Sequence, residues 1–314
     1  MEGVVDYGVR DVLTRVGGYD RCVTEFVRVN EQPIPEKVFL RYSPELEYGG
    51  TTSSGVPVYL QLLGGNYKWM AINANLAQRM EPPGIDLNFG CPSKTVTKSE
   101  GGSALLKEPQ RVSDIVSAVR DAVDPAIPVT AKIRLGFSNH DYLEEIASRV
   151  QTAGANELCV HARTREDRYK PPAYWSAVKP LSASLKIPII INGEIWTPED
   201  ANNAQVQSGC IDLMLGRSAL ARPDLGLSIK ASSSGEPHKC MSWLEVLAML
   251  IDYLTDSEHK HPLFVSNRCK QWLVFLQRQY SQAVELFHEV KRLKEADEVF
   301  AVLNQHLIKK VDAI

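Results

Sequence analysis

The chain has 314 residues, 44% of them hydrophobic, and a formal net charge of -3. That length supports one large barrel with an appendage, or two domains. The mild acidity excludes a generally basic nucleic-acid-binding body and leaves room for a local basic face only. Six scattered cysteines with no Cys-x-x-Cys pair suggest neither a zinc module, nor an iron–sulfur cluster, nor a disulfide framework, and point to a reducing cytoplasm. No apolar run approaches the roughly 20 residues that cross a bilayer, and the amino terminus carries no charged-then-apolar leader, so a cytoplasmic protein without membrane contact is expected.

Residues 7–16 open the chain with a helical stripe of Val9, Val12, Leu13 and Val16. Apolar runs of strand length then recur at 22–27, 58–63, 85–88, 129–134, 157–161, 187–192 and 211–216, separated by segments such as 109–123 and 142–153 that repeat at helical spacing. Strand alternating with helix means parallel strands joined by right-handed crossovers, which a doubly wound sheet and a closed barrel both satisfy. These are seven strands where a (β/α)8 barrel has eight, and a helix precedes the first of them. The expectation is therefore an α/β TIM barrel whose first strand lies upstream of Met1 and is missing from this chain, followed by a C-terminal helical bundle.

The stretch 88–94 reads Asn-Phe-Gly-Cys-Pro-Ser-Lys. A strand ends at Asn88, the chain turns at Gly90, and Cys91 is presented before Pro92 stops regular continuation. The thiol is then either a small buried group or one that faces whatever binds above the strand. In a barrel the chemistry sits at the carboxyl ends of the strands, and the residues there are Gln61, Asn88, Cys91, Lys132, His161, Asn192, Gly193, Glu194, Gly216 and Arg217. The glycines after the last two strands let backbone N–H groups approach a phosphate. A lysine under the centre of the mouth and a phosphate site at its rim suit flavin mononucleotide (FMN), which needs a cation beside the electron-rich end of its ring and an anchor for its tail.

Residues 231–237, Ala-Ser-Ser-Ser-Gly-Glu-Pro, read as a connector, and helical patterns follow at 243–254, 268–280, 284–293 and 299–307. The division expected is a barrel domain over 1–234 and a helical domain over 235–314. On the helix at 268, Arg268, Gln271, Phe275 and Arg278 share a face opposite the apolar stripe, with Lys270 nearby. Cations interleaved with an aromatic suit RNA; a solvated helix face is the alternative.

Taken together, Met1-Glu2-Gly3-Val4, Thr24-Glu25-Phe26-Val27-Arg28, Gln61-Leu62-Leu63-Gly64, Asp86 through Lys94, Lys132-Ile133-Arg134-Leu135-Gly136, Val160-His161-Ala162-Arg163-Thr164, Asn192-Gly193-Glu194-Ile195 and Gly216-Arg217 resemble the tRNA-dihydrouridine synthases over essentially the whole chain. The Glu-Phe-Val-Arg segment and Arg268-Cys269-Lys270-Gln271-Trp272-Leu273 are similar to the bacterial C-type branch, which acts on the uridine at position 16 of the tRNA D-loop. The resemblance implies an FMN-dependent reductase that converts this uridine to 5,6-dihydrouridine with NADPH as electron source. It implies FMN contacts from Met1, Gln61, Lys132, His161, Asn192, Gly193, Glu194, Gly216 and Arg217, and a proton donated by Cys91. It also implies tRNA contacts from Arg28, Asn88, Tyr169, Arg268 and Lys270, with Arg278, Lys291 and Arg292 as weaker candidates. The protein is expected to act as a monomer, with no metal. The departures are the Ala-Pro and apolar strand that normally precede Met-Glu-Gly, together with Phe89 and residues 97–100. An FMN barrel acting on a small pyrimidine, or a tRNA-binding protein without flavin, are the competing readings.

Overall fold

The computed structural model describes residues 2–93, 101–256 and 262–311. Its strands are β1 (Cys22–Val23), β2 (Val27–Arg28), β3 (Val58–Leu63), β4 (Ile85–Asn88), β5 (Val129–Arg134), β6 (Glu157–His161), β7 (Ile189–Asn192) and β8 (Asp212–Met214). They form one parallel sheet in the order β1-β3-β4-β5-β6-β7-β8, with β2 also paired to β3. Helices Tyr67–Ala77, Pro109–Ala122, Leu143–Thr152, Lys179–Ser184 and Pro198–Ser208 alternate with the strands from β3 onward. The result is TIM-barrel-like, as strand–helix alternation requires. Among the described residues no pairing joins β8 to β1.

The single strand expected at 22–27 is broken in two. Val23 lies opposite Tyr59 and Val27 opposite Leu62, so this side carries one more residue than β3 between the paired positions. At that bulge the Thr24 hydroxyl accepts the Gln61 N–H at 2.9 Å, standing in for a ladder carbonyl. Strand β7 starts at Ile189 rather than at 187 because Pro188 has no N–H to donate.

Register sorts the side chains, because aligned residues of parallel strands project to the same face. Leu60, Leu62, Ile85, Leu87, Val129, Ala131, Ile133, Leu158, Val160 and Ile191 fall on one face and are fully or almost fully buried. Helix Pro109–Ala122 buries Val112, Ile115, Val116 and Val119, and Leu143–Thr152 buries Leu143, Ile146, Ala147 and Val150. Each such side chain contributes about 1.5–3 kcal/mol by leaving water. The opposite face carries Gln61, Asp86, Asn88, Thr130, Lys132, Arg134, Glu157, Cys159, His161 and Asn192. Nearly every polar strand residue singled out from the sequence is on that second face.

The chain falls into two compact units, Met1–Tyr7 with Asp20–Leu215, and Gly8–Tyr19 with Gly216–Ile314. Most of helix Tyr7–Val16 and the whole of Arg217–Ala221 and Leu225–Ser234 thus go with the second unit, ahead of the division expected at 234. Residues 231–234 are the last turn of a helix, not a connector: the hydroxyls of Ser233 and Ser234 donate to the carbonyls of Ile229 and Lys230, at 3.0 and 3.1 Å, which keeps a serine run helical. The second unit continues with helices Trp243–Thr255, Pro262–Leu276, Gln282–Val290 and Ala296–Val311. The helix expected at 268–280 starts at Pro262 and ends at Leu276. Its stripe of Cys269, Trp272, Leu273 and Leu276 is buried, and the Trp272 indole donates to the Leu220 carbonyl at 3.0 Å. No helix of the described residues is long and apolar enough to cross a membrane.

Candidate active site

Strand β4 delivers Cys91 on a turn whose polar backbone groups are held from both sides. The Asn88 side-chain oxygen accepts the N–H groups of Gly90 and Cys91, at 2.9 and 3.0 Å. The Gly90 carbonyl accepts from Arg134 Nε at 2.8 Å, and the Cys91 carbonyl from the Ser103 hydroxyl at 2.8 Å. An asparagine at a strand end bonds the backbone ahead of it in this way because its short amide reaches the next two N–H groups. The thiol packs against Phe26 and Leu63. Burial pushes the Cys91 thiol above its ordinary value, partly offset by a backbone hydrogen bond from Ser93, so the group stays protonated at neutral pH.

Lys132 is a cation of the polar sheet face. Its ammonium donates to Asn192 Oδ1 at 2.9 Å and lies 3.7 Å from Cys159 Sγ, and no carboxylate pairs with it among the described residues. Asn192 is fixed in turn by donating to the Met214 carbonyl at 2.7 Å. At the end of β6, His161 is buried, and its Nε2 lies 3.4 Å from Arg163 Nη1.

The turn after β7 explains Gly193 and Glu194. Gly193 has φ 115, and a Cβ there would sit 2.7 Å from His161 Cδ2, so only glycine lets the backbone pass the imidazole. Glu194 holds a left-handed φ of 58, rare for a side-chain-bearing residue. It is held there by Arg163, which donates to Oε2, and by the Trp196 indole, which donates to Oε1 at 2.9 Å. The Gly193 carbonyl accepts from the Trp175 indole at 2.7 Å.

A family model for dihydrouridine synthase (Dus) matches residues 1–311. The chain belongs to the dihydrouridine synthase family. It is 48% identical over 293 residues to the tRNA-dihydrouridine(16) synthase of Pseudomonas putida, covering 93% of this chain and 91% of that one. It is 45% identical over 306 residues to the protein of the same name from Shewanella oneidensis, covering 97% and 96%. Among solved structures, 6-hydroxypseudooxynicotine amine oxidase from Pseudomonas geniculata N1 superposes with a TM-score of 0.51 at 12% identity, over 79% of this chain and 47% of that one, a likeness of fold alone.

In this dihydrouridine synthase fold, Gln61, Asn88, Cys91, Lys132, His161, Asn192, Gly193 and Glu194 gather in the first unit, at or near the carboxyl ends of the strands. Met1 lies outside the described residues, as do Lys94 and the cysteine-loop residues 97–100. Gly216 and Arg217 belong to the second unit, where Gly216 precedes helix Arg217–Ala221. Arg28 ends β2 and donates to both oxygens of Glu2, at 2.7 and 3.0 Å. Tyr169 is exposed, its ring centroid 6.1 Å from that of His161 and 5.4 Å from the Arg134 guanidinium. In the second unit Arg268 donates to Gln271 at 2.7 Å and lies over Phe264, while Lys270 donates to the Leu293 carbonyl and Arg278 is exposed beyond the helix end.

Three buried charged residues beside the site were not singled out in the sequence reading. Asp86, Arg134 and Arg163 are 2%, 2% and 0% exposed, although each carries a formal charge. For the first two, the available signal was a charged residue alternating with apolar ones inside a strand, Ile85-Asp86-Leu87 and Ile133-Arg134-Leu135. Such a charge is retained where it faces partners.

Proposed function

We propose that this protein reduces a uridine of tRNA, at position 16, to 5,6-dihydrouridine, with FMN as its flavin and NADPH as electron source. The observation that carries this reading is Cys91, a half-buried thiol kept protonated by burial, on a turn beside β5 with Lys132, which among the described residues is bonded to Asn192 and to no carboxylate. The relatives' name, tRNA-dihydrouridine(16) synthase, supports the substrate and the position.

The residues of the first unit fit a flavin. A partly buried ammonium with no carboxylate partner among the described residues suits the electron-rich end of the ring, and Gln61, His161, Asn192, Gly193 and Glu194 would add polar groups to hold the flavin. Met1, Gly216 and Arg217 are assigned to FMN by family resemblance alone. When bound and reduced, FMN supplies a hydride to carbon 6 of the uracil. The charge that then develops on the base requires a proton at carbon 5, and the Cys91 S–H gives it up; the resulting thiolate regains a proton from solvent. Lys132 offers positive charge on that face of the sheet. Asn88 spends its oxygen on the Cys91 turn and one amide hydrogen on Gln61, so it meets the base as a donor through its other hydrogen. Arg28 and Tyr169, with Arg268, Lys270 and Arg278 of the second unit, contact tRNA in this reading, the cations at phosphates and the tyrosine by stacking. A base must leave its stack to reach a flavin, which accounts for an enzyme of folded tRNA. Six free cysteines agree with a cytoplasmic setting, and the protein works there as a monomer.

Mapping dihydrouridine in tRNA from cells lacking the gene tests the proposal. Loss at position 16, restored by the intact gene, is expected together with a yellow purified protein that oxidises NADPH faster with unmodified tRNA than with free uridine. Unchanged modification in the deleted strain overturns it. The acid role of Cys91 also sets a pH profile. Because burial pushes the thiol above its ordinary range, tRNA reduction by the pre-reduced enzyme should stay level through neutral pH and fall only on the alkaline side. A fall centred below about pH 8.5, the ordinary thiol range, would remove the thiol from that role.

A further inference from the structure

Asp86 is a carboxyl sealed in the sheet, in ion-pair contact with no described residue, and the proton transfer proposed above has no use for it. Its burial is costly enough to raise its pKa, the hydrogen bonds from Thr130 and Gln61 and the charge of Lys132 offsetting part of that. What it holds is a line of hydrogen bonds that ends at the backbone of Cys91. We propose that Asp86 is a positioning residue for Cys91, acting through the side chains of Gln61 and Asn88.

The direction of the line is dictated from its upper end. The N–H groups of Gly90 and Cys91 can only donate, so Asn88 turns Oδ1 toward them, at 2.9 and 3.0 Å. Its Nδ2 therefore faces Gln61 and meets Oε1 at 2.9 Å. Gln61 is left with Nε2 pointing down into the sheet, where Gln61 is 5% and Asp86 2% exposed. A donor at that depth needs an acceptor, and Asp86 Oδ2 provides it at 2.7 Å. The other carboxylate oxygen accepts from the Thr130 hydroxyl at 2.6 Å. Register makes the line possible, since Gln61, Asp86 and Thr130 lie side by side on adjacent strands.

A group at 86 that could not accept would orphan Gln61 Nε2. The Gln61 amide, no longer anchored at its lower end, would be free to turn over, and a turned amide would set an N–H₂ group against Asn88 Nδ2. Asn88 would have to turn as well, and the Cys91 N–H would lose its acceptor. The fault would thus travel from the middle of the sheet to the thiol by two amide flips. Amide networks respond in this all-or-none way because every link has one donor end and one acceptor end. Asparagine at 86 keeps the acceptor toward Gln61 and can offer its amide to Thr130, so it should preserve the line where leucine breaks it.

The test compares Asp86→Leu, Asp86→Asn, Gln61→Met and Thr130→Val, the last removing a bond to Asp86 outside the line. Two readouts are taken. The first is the rate at which iodoacetamide alkylates Cys91 in flavin-free protein, followed by mass spectrometry of its peptide. It requires neither cofactor nor tRNA, and so is independent of the proposed function. Asp86→Leu and Gln61→Met should each raise it by about threefold or more as the turn loosens, with Asp86→Asn and Thr130→Val close to the parent. The second rests on the proposed function: single-turnover tRNA reduction by pre-reduced protein should fall about 10²-fold in Asp86→Leu with KM for tRNA little changed, and recover to within about tenfold of the parent in Asp86→Asn. In the Asp86 and Thr130 variants, flavin reduction by NADPH should not change. Should Asp86→Leu fail to fold, Gln61→Met decides the alkylation arm. The proposal is overturned if Gln61→Met leaves Cys91 alkylation at the parental rate, or if Asp86→Leu lowers tRNA reduction only in proportion to lost flavin. A parent protein that cannot reduce tRNA would sink the proposed function and leave the alkylation arm to judge Asp86.

Discussion

Cys91→Ala is expected to slow tRNA reduction by about 10²–10⁴-fold, the usual worth of a positioned general acid, while NADPH reduces the bound flavin at the parental rate. The division follows from the geometry. The thiol accepts a backbone hydrogen bond from Ser93, but Asn88, Arg134 and Ser103 hold the backbone groups of residues 90 and 91 without it. Alanine therefore removes the proton and leaves the turn in place. Serine should rescue little, because a hydroxyl is a much weaker acid than a thiol and would be expected to stay so in the same half-buried position. Stopped-flow traces of the two half-reactions, recorded separately, check both statements. If tRNA reduction in Cys91→Ala keeps pace with the parent, the proton comes from another group.

Arg163→Met is expected to lower stability by about 3 kcal/mol, the low end for breaking a buried ion pair, or about 6–12 °C in the melting temperature of a domain this size. The Arg163 side chain is fully buried and Glu194 is 18% exposed, so a stranded Glu194 carboxylate recovers some water, which places the cost at the low end of the range. Arg163 also donates to the Pro172 carbonyl and contacts His161, so the variant leaves several partners unsatisfied at once. Methionine fills much of the same space and limits any cavity. Pairing it with Glu194→Gln should recover a large part of the loss, since the second change removes the stranded charge, and a double-mutant cycle in thermal unfolding measures the coupling. A single variant as stable as the parent would mean that the pair contributes nothing to holding the left-handed turn at Glu194.

How much could be read in advance differs between elements. The strand–helix alternation was visible because each run of strand length carried its own apolar residues, and helix Tyr7–Val16 was read with the bounds it has. Cys91, Lys132, His161 and Asn192 were legible as polar residues where apolar strands end. The break between β1 and β2 was not, since a bulge depends on how many residues the neighbouring strand places opposite, and that neighbour is far away in sequence. The unit to which Tyr7–Val16 belongs was hidden for a related reason: an apolar stripe says that a face is buried and nothing about what covers it.

What the amino-acid order determined by itself was therefore local: period-two alternation in Ile85-Asp86-Leu87-Asn88 and in residues 129–134, helical stripes, and a cysteine set at a turn by glycine and proline. Those follow from backbone sterics and from the exchange of apolar surface out of water, both of which act between near neighbours. The tertiary structure alone decided the partners of the buried charges. Asp86 meets Gln61 and Thr130, Arg134 meets Gly90, and Arg163 meets Glu194 only because parallel register sets distant segments side by side. A hydrogen bond or ion pair is satisfied within about 3 Å, and that distance is closed by the packing of the sheet, not by anything written next to those residues in the chain.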